Sequence, residues 1–460
     1  MSLRTVRRGG ALLAIPVLIT VLASCQNGKV GAKCNTKDFG QDSTHVLTCV
    51  KGKWQRLMTK DQAAKILFPA PATTAAPATT AAPATTTAPT TVPGPTTTTT
   101  TTTAPPPGVT ASSVWIGENS SCAVMSNTGV KCWGKNDKGQ LGDGTTTNRT
   151  SAVTVAGLTG VTQLSGNNAS TCALLSNGTV KCWGEGTLGQ LGDGTSTDHL
   201  TPTTVSGLTG VTQISGGTEH TCALASGTVK CWGYNGYDQL GDNTTDDRNV
   251  PTAMSAVGTA SAVGAGTNNT CVVLSADGSV KCTGDNHYGQ LGDGTVVNEL
   301  TAVSVTGLTG ISKVSVGGGH ACALVASDGS IKCWGDNYYG QLGKGVYGAL
   351  TGSLTPVSVV GYSGATKLDS ASDSNCALAG GKVSCWGDDY VGQLGRSIET
   401  DKTLPGFVDN LSGVTAIASG YHHGCALTGT TVKCWGVNDS GQLGDGSTTT
   451  RTAPVTVTGL

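Results

Sequence analysis

Cysteine is the residue type whose spacing in this 460-residue chain points most directly to chemistry. Beyond residue 120 the cysteines recur in seven pairs, whose members are 9, 10 or 11 residues apart. Zinc sites need close Cys-x-x-Cys spacing, which never occurs here, so no metal site is predicted. The observed spacing suits neighbouring strands of a β-hairpin, as for Cys222 and Cys231 on either side of Ser226-Gly227. The predicted disulfides join Cys122 to Cys132, Cys172 to Cys182, Cys222 to Cys231, Cys271 to Cys282, Cys322 to Cys333, Cys376 to Cys385 and Cys425 to Cys434.

The three remaining cysteines lie near the N-terminus and predict export. Arg4, Arg7 and Arg8 precede an apolar stretch over 11–22, which is the pattern of a signal peptide. Leu-Ala-Ser-Cys at 22–25 resembles a bacterial lipobox, which implies cleavage after residue 24, a diacylglycerol on Cys25 and a membrane anchor on the extracellular face. The alternative is an ordinary secretory signal with cleavage nearby. Cys34 and Cys49 form a further predicted disulfide, and paired cysteines suit an oxidising compartment.

Three regularly placed histidines could also do chemistry. His220, His320 and His423 each shortly precede the first cysteine of a pair. Such a series could form a ring that transfers protons around a central channel. The same slot holds Ser or Asn in other units, so a hydrogen bond that stabilises a turn is the preferred interpretation.

Catalytic signatures are absent from the sequence. It contains no His-Glu-x-x-His, no Gly-x-Ser-x-Gly and no phosphate-binding loop, so we predict neither an enzyme nor a cofactor. A repeated Gly-Asp-Gly-Thr element could suggest calcium, but one carboxylate per turn supplies too few ligands, and Asp-Gly is common in turns. The aspartates of this element are Asp143, Asp193 and Asp293, with Asp445 in the close variant Gly-Asp-Gly-Ser.

The paired cysteines, the histidines and the turn aspartates all belong to a unit that is repeated seven times. Each unit carries Cys-Ala-Leu, Val-Lys-Cys-Trp-Gly and Gly-Gln-Leu-Gly-Asp-Gly-Thr or close variants. Short β-type runs between glycine turns at this period predict an all-β, seven-bladed β-propeller over 108–460. In one unit the strands are predicted at 211–215, 221–225 and 228–233, with 203–205 or its equivalents as the fourth. Whether the two ends of the chain share a blade is left open.

This pattern resembles the regulator of chromosome condensation repeat family, through elements such as Ala173-Leu174, Trp183-Gly184 and Gly189 to Gly192. The resemblance implies a propeller that serves as a binding platform. One branch of the family is a chromatin-associated exchange factor for a small nuclear GTPase, and another includes a secreted bacterial inhibitor of β-lactamases that binds through loops on the propeller face. Thr283 in place of Trp, and Gly-Lys-Gly at 343–345, depart from the pattern and predict less regular fourth and fifth blades.

The positions at which the repeats disagree are the candidate binding residues. Between Trp-Gly and Gly-Gln-Leu-Gly, units three to six carry tyrosine, aspartate and histidine, which propeller symmetry would place along one arc. Tyrosine is enriched at protein interfaces, although these rings could instead pack over their own turns. Two irregular loops, 346–355 and 396–404, the latter with Glu399 and Asp401, indicate the same face. The predicted binding residues are Tyr234, Tyr237, Asp285, His287, Tyr288, Asp336, Tyr338, Tyr339, Asp388, Asp389 and Tyr390.

The remaining segments differ in composition and charge. Residues 1–24 form the signal, 25–68 a small disulfide-bridged basic module with Trp54 as its packing residue, and 69–107 a disordered Thr/Pro/Ala-rich linker that acts as a stalk. Residues 1–108 hold 11 of the 28 basic side chains but only 3 of the 29 acidic ones. The basic module would be attracted to a membrane or to anionic wall polymers, or is simply a solvated surface. The acidic propeller argues against nucleic acid.

These observations together predict a non-catalytic cell-surface protein whose propeller face recognises another protein, which we expect to be extracellular. A glycan or cell-wall adhesin is the first alternative, because aromatic side chains also bind sugars. A guanine-nucleotide exchange regulator is a second alternative by repeat analogy alone, and it conflicts with the export signal. An enzyme that uses the central cavity would need convergent polar residues at the channel mouth.

Overall fold

The computed structural model describes residues 108–460 except 167 and 398–401, together with the backbone of four short strands nearer the N-terminus. Its compact units are 1–99 and 100–460. Among the described residues there is no helix with the length and apolar character needed to cross a membrane. The signal peptide, Cys25, Cys34 and the linker lie outside the described residues, so lipidation, the Cys34–Cys49 disulfide and the stalk stay predictions.

The N-terminal unit contains one small sheet. Its strands are β1 (Gln26–Asn27), β2 (Phe39–Gln41), β3 (His45–Val50) and β4 (Lys53–Thr59), adjacent in that order. The pair β1–β2 is parallel, whereas β2, β3 and β4 form an antiparallel meander in which Cys49 lies opposite Trp54.

The second unit is a seven-bladed β-propeller, as predicted, and each blade is a four-stranded antiparallel sheet of consecutive strands. The first strands are β5 (Ala111–Ile116), β9 (Val161–Gly166), β13 (Val211–Gly216), β17 (Ala260–Ala265), β21 (Ile311–Val316), β25 (Ala365–Ser370) and β29 (Val414–Ser419). The second strands are β6 (Ser120–Met125), β10 (Ser170–Leu175), β14 (His220–Ala225), β18 (Asn269–Leu274), β22 (His320–Val325), β26 (Ser374–Ala379) and β30 (His423–Thr428). The third strands are β7 (Val130–Gly134), β11 (Val180–Gly184), β15 (Thr228–Gly233), β19 (Val280–Gly284), β23 (Ile331–Gly335), β27 (Lys382–Gly387) and β31 (Thr431–Gly436). The fourth strands are β8 (Arg149–Thr154), β12 (His199–Thr204), β16 (Arg248–Ala253), β20 (Glu299–Ser304), β24 (Ser353–Ser358), β28 (Gly406–Phe407) and β32 (Arg451–Thr456).

Hairpin geometry confirms the predicted disulfides. Ser226 and Gly227 adopt φ of 50° and 79°, the left-handed pair that a tight two-residue hairpin requires. That turn places Ala225 opposite Thr228, and so Cys222 opposite Cys231. All seven propeller disulfides are formed between the second and third strands of their blades.

A buried tryptophan joins each blade to the one before it in six of the seven blades. The indole Nε1 donates to a glutamine carbonyl of the preceding blade, as from Trp183 to Gln140 at 3.0 Å. Trp133 makes the equivalent bond to the Gln442 carbonyl at 2.9 Å and thereby joins the first blade to the last. The two ends of the chain therefore close the ring by packing, and no blade is shared between them.

The expectation of less regular fourth and fifth blades is wrong. Both keep four complete strands, and the shortened strand is the two-residue β28 of the sixth blade. In the fourth blade Thr283 replaces a buried indole but keeps the backbone register of its strand, since the change affects only the contact between blades. Met254 stands where the other blades have valine, and it lies beside Thr283 against Gly241, so its longer side chain takes up part of the space of the missing ring.

Candidate functional site

The loops that join first to second and third to fourth strands emerge at one end of the antiparallel blades, here called the loop face. The loop face includes one mouth of the central channel, which the seven first strands line around a cavity of about 360 Å³. Tyr421, from the seventh blade, spans this mouth, with its hydroxyl 3.0 Å from Thr218 Oγ1 and 3.1 Å from Thr267 Oγ1. Those threonines belong to the third and fourth blades, so the tyrosine bridges across the channel.

Polar side chains on the channel wall are used to join neighbouring blades. Gln163 donates to the Ile214 carbonyl at 2.9 Å and accepts from the Ile214 amide at 3.1 Å. Lys313 donates to the Leu368 carbonyl at 2.6 Å, and Asp369 accepts from the Ser419 amide at 2.7 Å. Burial lowers the pKa of Lys313 and raises the pKa of Asp369. These bonds give the channel charges a structural role.

The three histidines make structural hydrogen bonds, as preferred over proton transfer, but their partners lie on a strand of the next blade and not in a turn. Their Nε2 atoms lie 2.9 Å from Thr270 Oγ1 for His220, 3.0 Å from Asn375 Oδ1 for His320, and 2.8 Å from Ser121 Oγ for His423, each on the next blade. Complete burial lowers the pKa of His220 and of His423 to about 3. The imidazoles are therefore neutral near pH 7 and act as fixed inter-blade contacts.

The aspartate of the Gly-Asp-Gly-Thr element organises its own loop. Asp143 Oδ1 accepts from the Thr145 amide and hydroxyl at 2.9 and 2.7 Å, and its Oδ2 accepts from Arg149 at 2.7 Å. Equivalent carboxylates pair with Arg248 and Arg451 in the third and seventh blades. Hydroxyl, amide and guanidinium donors thus occupy the carboxylate oxygens.

Of the four positions between Trp-Gly and Gly-Gln-Leu-Gly, the second has a structural role. It is a buried Asn in five blades. The Asn Nδ2 donates into the following loop and its Oδ1 accepts a hydrogen bond from a leucine amide, as for Asn136 and Leu141. Asp389 fills this position in the sixth blade, accepting from the Leu394 amide at 3.0 Å and lying 2.8 Å from Lys402 Nζ. The carboxylate of Asp389, predicted as a binding group, is held within its own loop, although the residue also lines a groove on this face. The recurring Asn at this position was the available sequence signal.

Tyrosines of the fifth and sixth blades come together in a groove of about 700 Å³ on the loop face. The groove lies between the β23–β24 and β27–β28 loops, and its aromatic lining is Tyr338, Tyr339, Tyr347 and Tyr390. Their exposed fractions are 51%, 43%, 71% and 86%, respectively. The Tyr338 and Tyr339 rings meet edge to face with centroids 4.9 Å apart. Rings this exposed are not substituting for core, which was the alternative that the sequence left open.

Aspartates hold the turns that present these rings. Asp336 accepts from the Tyr338 amide at 3.1 Å and from Gln341 Nε2 at 3.0 Å. Asp388 does the same in the next blade, with the Tyr390 amide at 3.2 Å and Gln393 Nε2 at 2.7 Å. Burial raises the pKa of both carboxyl groups. The two loops are therefore built alike, which places their tyrosines in equivalent positions on neighbouring blades.

The other predicted binding residues lie on the loop face but outside the groove. In the third blade, half-buried Tyr234 packs edge to face against Tyr237 at 6.2 Å. In the fourth, Asp285 bonds to His287, while Tyr288 is 58% exposed. These residues extend the arc without sharing the cavity.

Two residues that line the groove, Tyr347 and Lys402, were not among the binding residues predicted from the sequence. They belong to the irregular loops 346–355 and 396–404, so loop length was the available signal. Glu399 and Asp401 lie outside the described residues.

Fold and site together define a disulfide-braced β-propeller with an exposed aromatic groove on its loop face. A profile of the Regulator of chromosome condensation (RCC1) repeat matches residues 177–224, 226–273, 277–324 and 380–427. A second RCC1 repeat profile matches 161–190, 211–239, 260–290 and 311–341. The chain therefore carries RCC1 repeats, which confirms the resemblance drawn from the repeat.

Sequence relatives share only part of their length with this chain. Human E3 ubiquitin-protein ligase HERC2 is 30% identical over 145 residues, which cover 30% of this chain but 3% of the ligase. The Arabidopsis thaliana Ultraviolet-B receptor UVR8 is 32% identical over 123 residues, or 26% of this chain and 27% of the receptor.

Solved structures share the fold. Yeast RCC1 (Prp20), crystallised with Kap60, superposes with a TM-score of 0.65 at 17% identity, covering 72% of this chain and 83% of the other. Human WBSCR16 gives a TM-score of 0.63 at 22% identity, covering 72% and 94%. At these identities the likeness shows the propeller architecture alone.

Proposed function

We propose that this chain is a non-catalytic binding protein whose loop face recognises another protein through the tyrosine groove. The observation that carries the proposal is that four exposed tyrosines from two blades line one groove of about 700 Å³. Tyrosine provides a large amphipathic contact area with few rotatable bonds, so little entropy is lost when a partner covers it. Exposed rings grouped in this way are typical of an interaction site.

The groove is also organised before any partner arrives. Asp336 and Asp388 fix the turns that carry Tyr338 and Tyr390, and the disulfides brace the hairpins beneath them. A surface that is already ordered loses less freedom on binding, which raises affinity for a given area. The crystallised pair of yeast RCC1 (Prp20) and Kap60 is an instance of a propeller of this fold bound to another protein.

The test is affinity capture from envelope and culture-supernatant proteins on the oxidised full chain. A variant with Tyr338, Tyr339, Tyr347 and Tyr390 changed to Ala should lose the partner while keeping its folded circular dichroism spectrum. Tyr234→Ala with Tyr237→Ala is the matched control, because these rings lie on the same face outside the groove. Direct titration of the purified partner must reproduce the loss. Equal capture by the parent and the groove variant would refute the proposal.

A glycan could also stack on these rings. The parent chain and the groove variant can separate the two ligand classes. Soluble wall oligosaccharides that displace the captured protein, and that bind the parent directly at the same tyrosines, would indicate an adhesin. Saturable binding of one purified protein that is insensitive to these sugars would support protein recognition.

We further propose that the chain is exported and anchored through a lipid on Cys25. The support is the seven disulfides, because such bonds form and persist in oxidising compartments. Expression in a bacterial host should yield a processed N-terminus with acyl chains on Cys25, detected by mass spectrometry, and Cys25→Ser should abolish the modification. A mature form cleaved elsewhere and free of lipid would refute the anchor.

A further inference from the structure

The tyrosine groove has acidic surroundings as well as aromatic walls. Tyr339 interacts electrostatically with Asp388, Asp373 and Asp336, which come from two neighbouring blades. Asp373 also acts on both of the other carboxyl groups and helps to raise the pKa of Asp336 and of Asp388, after the larger effect of burial. Asp388 therefore lines the groove, and Asp336 and Asp373 act electrostatically on one of its rings from outside the lining.

No lysine or arginine forms a salt bridge with these three carboxylates within the described part of the chain. Their hydrogen-bond donors are neutral: the amides and glutamines that hold Asp336 and Asp388, and the Ser372 hydroxyl, 2.9 Å from Asp373. Among the described residues that line the groove, the one cation is Lys402, which is paired with Asp389 at 2.8 Å. Because that pair is balanced, the Asp388 carboxylate is left without a cationic partner in the described lining.

Aromatic rings beside unbalanced carboxylates suit a cationic side chain. A Lys ammonium or Arg guanidinium is attracted by the face of a tyrosine ring, and the attraction strengthens when water is excluded. Nearby carboxylates add a charge-assisted interaction. A neutral or acidic group in the same place would leave the carboxylates without compensation.

We propose that the groove between the fifth and sixth blades accepts a lysine or arginine side chain of the partner, held against the tyrosines by Asp336, Asp373 and Asp388. The inference rests on the proposed protein-binding function and specifies the chemistry of what binds. Charge complementarity determines the choice, because the groove lining supplies the rings and Asp388, while Asp336 and Asp373 add negative charge close enough to act on Tyr339.

The test uses pools of ten-residue peptides, degenerate in uncharged residues, with one fixed central residue. The fixed residue is Lys, Arg, norleucine, citrulline or Glu, and binding to the oxidised full chain is measured by fluorescence anisotropy. Lys and Arg pools should bind about tenfold more tightly than norleucine and citrulline pools, which match them in length but lack the charge. The preference should weaken as sodium chloride is raised from low to high concentration, because salt screens partly exposed charges.

Two variants assign the preference to the site. Asp373→Asn and Asp388→Asn each keep the side-chain shape, and each should reduce the Lys-pool affinity about threefold to fivefold. Asp285→Asn is the matched control for Asp388→Asn, because Asp285 occupies the repeat position of Asp388 in the fourth blade, outside the groove. Near-ultraviolet circular dichroism verifies that each variant is folded.

The outcomes separate this inference from the proposed function. One outcome is that peptides bind the parent but not the variant that lacks the four groove tyrosines, and yet show no preference for Lys or Arg. That result would overturn the cation inference and leave protein recognition intact. Binding to no pool, or to wall oligosaccharides alone, would overturn the cation inference, while partner capture independently decides the proposed function. A Lys or Arg preference unchanged in both aspartate variants would also overturn it.

Discussion

Acid should weaken this propeller through its buried histidines. His220 and His423 are completely buried, and desolvation lowers the pKa of each to about 3. In the unfolded chain each would return to about 6.5. The unfolded state therefore binds more protons below that value, so folding stability is lost as pH falls from about 6.5 towards 3.

The size of the effect follows from the pKa difference. Between pH 7.5 and 5 each of these histidines should remove about 2 kcal/mol of unfolding free energy, at 1.36 kcal/mol per pH unit below about 6.5. Burial also lowers the pKa of His320, which acts in the same direction. For His220 and His423 together, the expected loss at pH 5 is about 4 kcal/mol, a large share of the stability of an ordinary domain.

The repeat itself supplies the variants for the test. Other blades carry Asn or Ser at this position, so His220→Asn and His423→Ser introduce residues that the fold already uses there. Guanidinium unfolding at pH 7.5 and 5, with disulfides kept oxidised, should show each variant losing about 2 kcal/mol less than the parent on acidification. Exposed His422→Asn is the control; it removes only the charge effect of His422 on His423, which is smaller than that of burial, so it should follow the parent closely. If His220→Asn and His423→Ser show the same pH dependence as the parent, the buried-histidine explanation is refuted.

Three further changes test the packing of the blades. Replacing Cys222 and Cys231 together by Ala should cost about 2.5 to 3 kcal/mol by loop entropy, measured by thermal unfolding, and no loss would show that the bond contributes little to stability. Met254→Val should destabilise the parent, in which residue 283 is Thr. In the Thr283→Trp background the same change should be neutral or stabilising. A double-mutant cycle that gives no coupling energy would contradict the packing argument. Asp389→Asn keeps an oxygen for the Leu394 amide and should change the unfolding free energy by less than about 1 kcal/mol. Asp389→Ala removes that oxygen and should cost about 1–3 kcal/mol. Equal effects of the two changes would count against the assigned hydrogen bond.

The fold could be predicted because its determinants are local and repeated. A two-residue turn at Ser226-Gly227 specifies the register of one hairpin, and that register pairs Cys222 with Cys231 without reference to the rest of the molecule. The same unit written seven times then predicts seven blades. Aromatic residues at the variable positions likewise indicated the face on which binding residues would lie.

The roles of several side chains could not be read in this way, because their partners lie on another blade or in a long loop. His220 bonds to Thr270 on the next blade, a contact between residues 50 positions apart in sequence. Asp389 looked like a free surface residue until the loop placed Lys402 beside it. In both cases the deciding contact depends on how separate segments pack in three dimensions.

The sequence by itself therefore determined the propeller, its disulfide pairing and the candidate face, because strand period and hairpin length act over a few residues. Only the tertiary structure decided which tyrosines form one groove. Tyr347 joins Tyr338, Tyr339 and Tyr390 because the fifth blade packs against the sixth and the longer loop of the fifth reaches the space between them. The physical reason is that neighbours across a blade interface are set by packing, which no local pattern encodes.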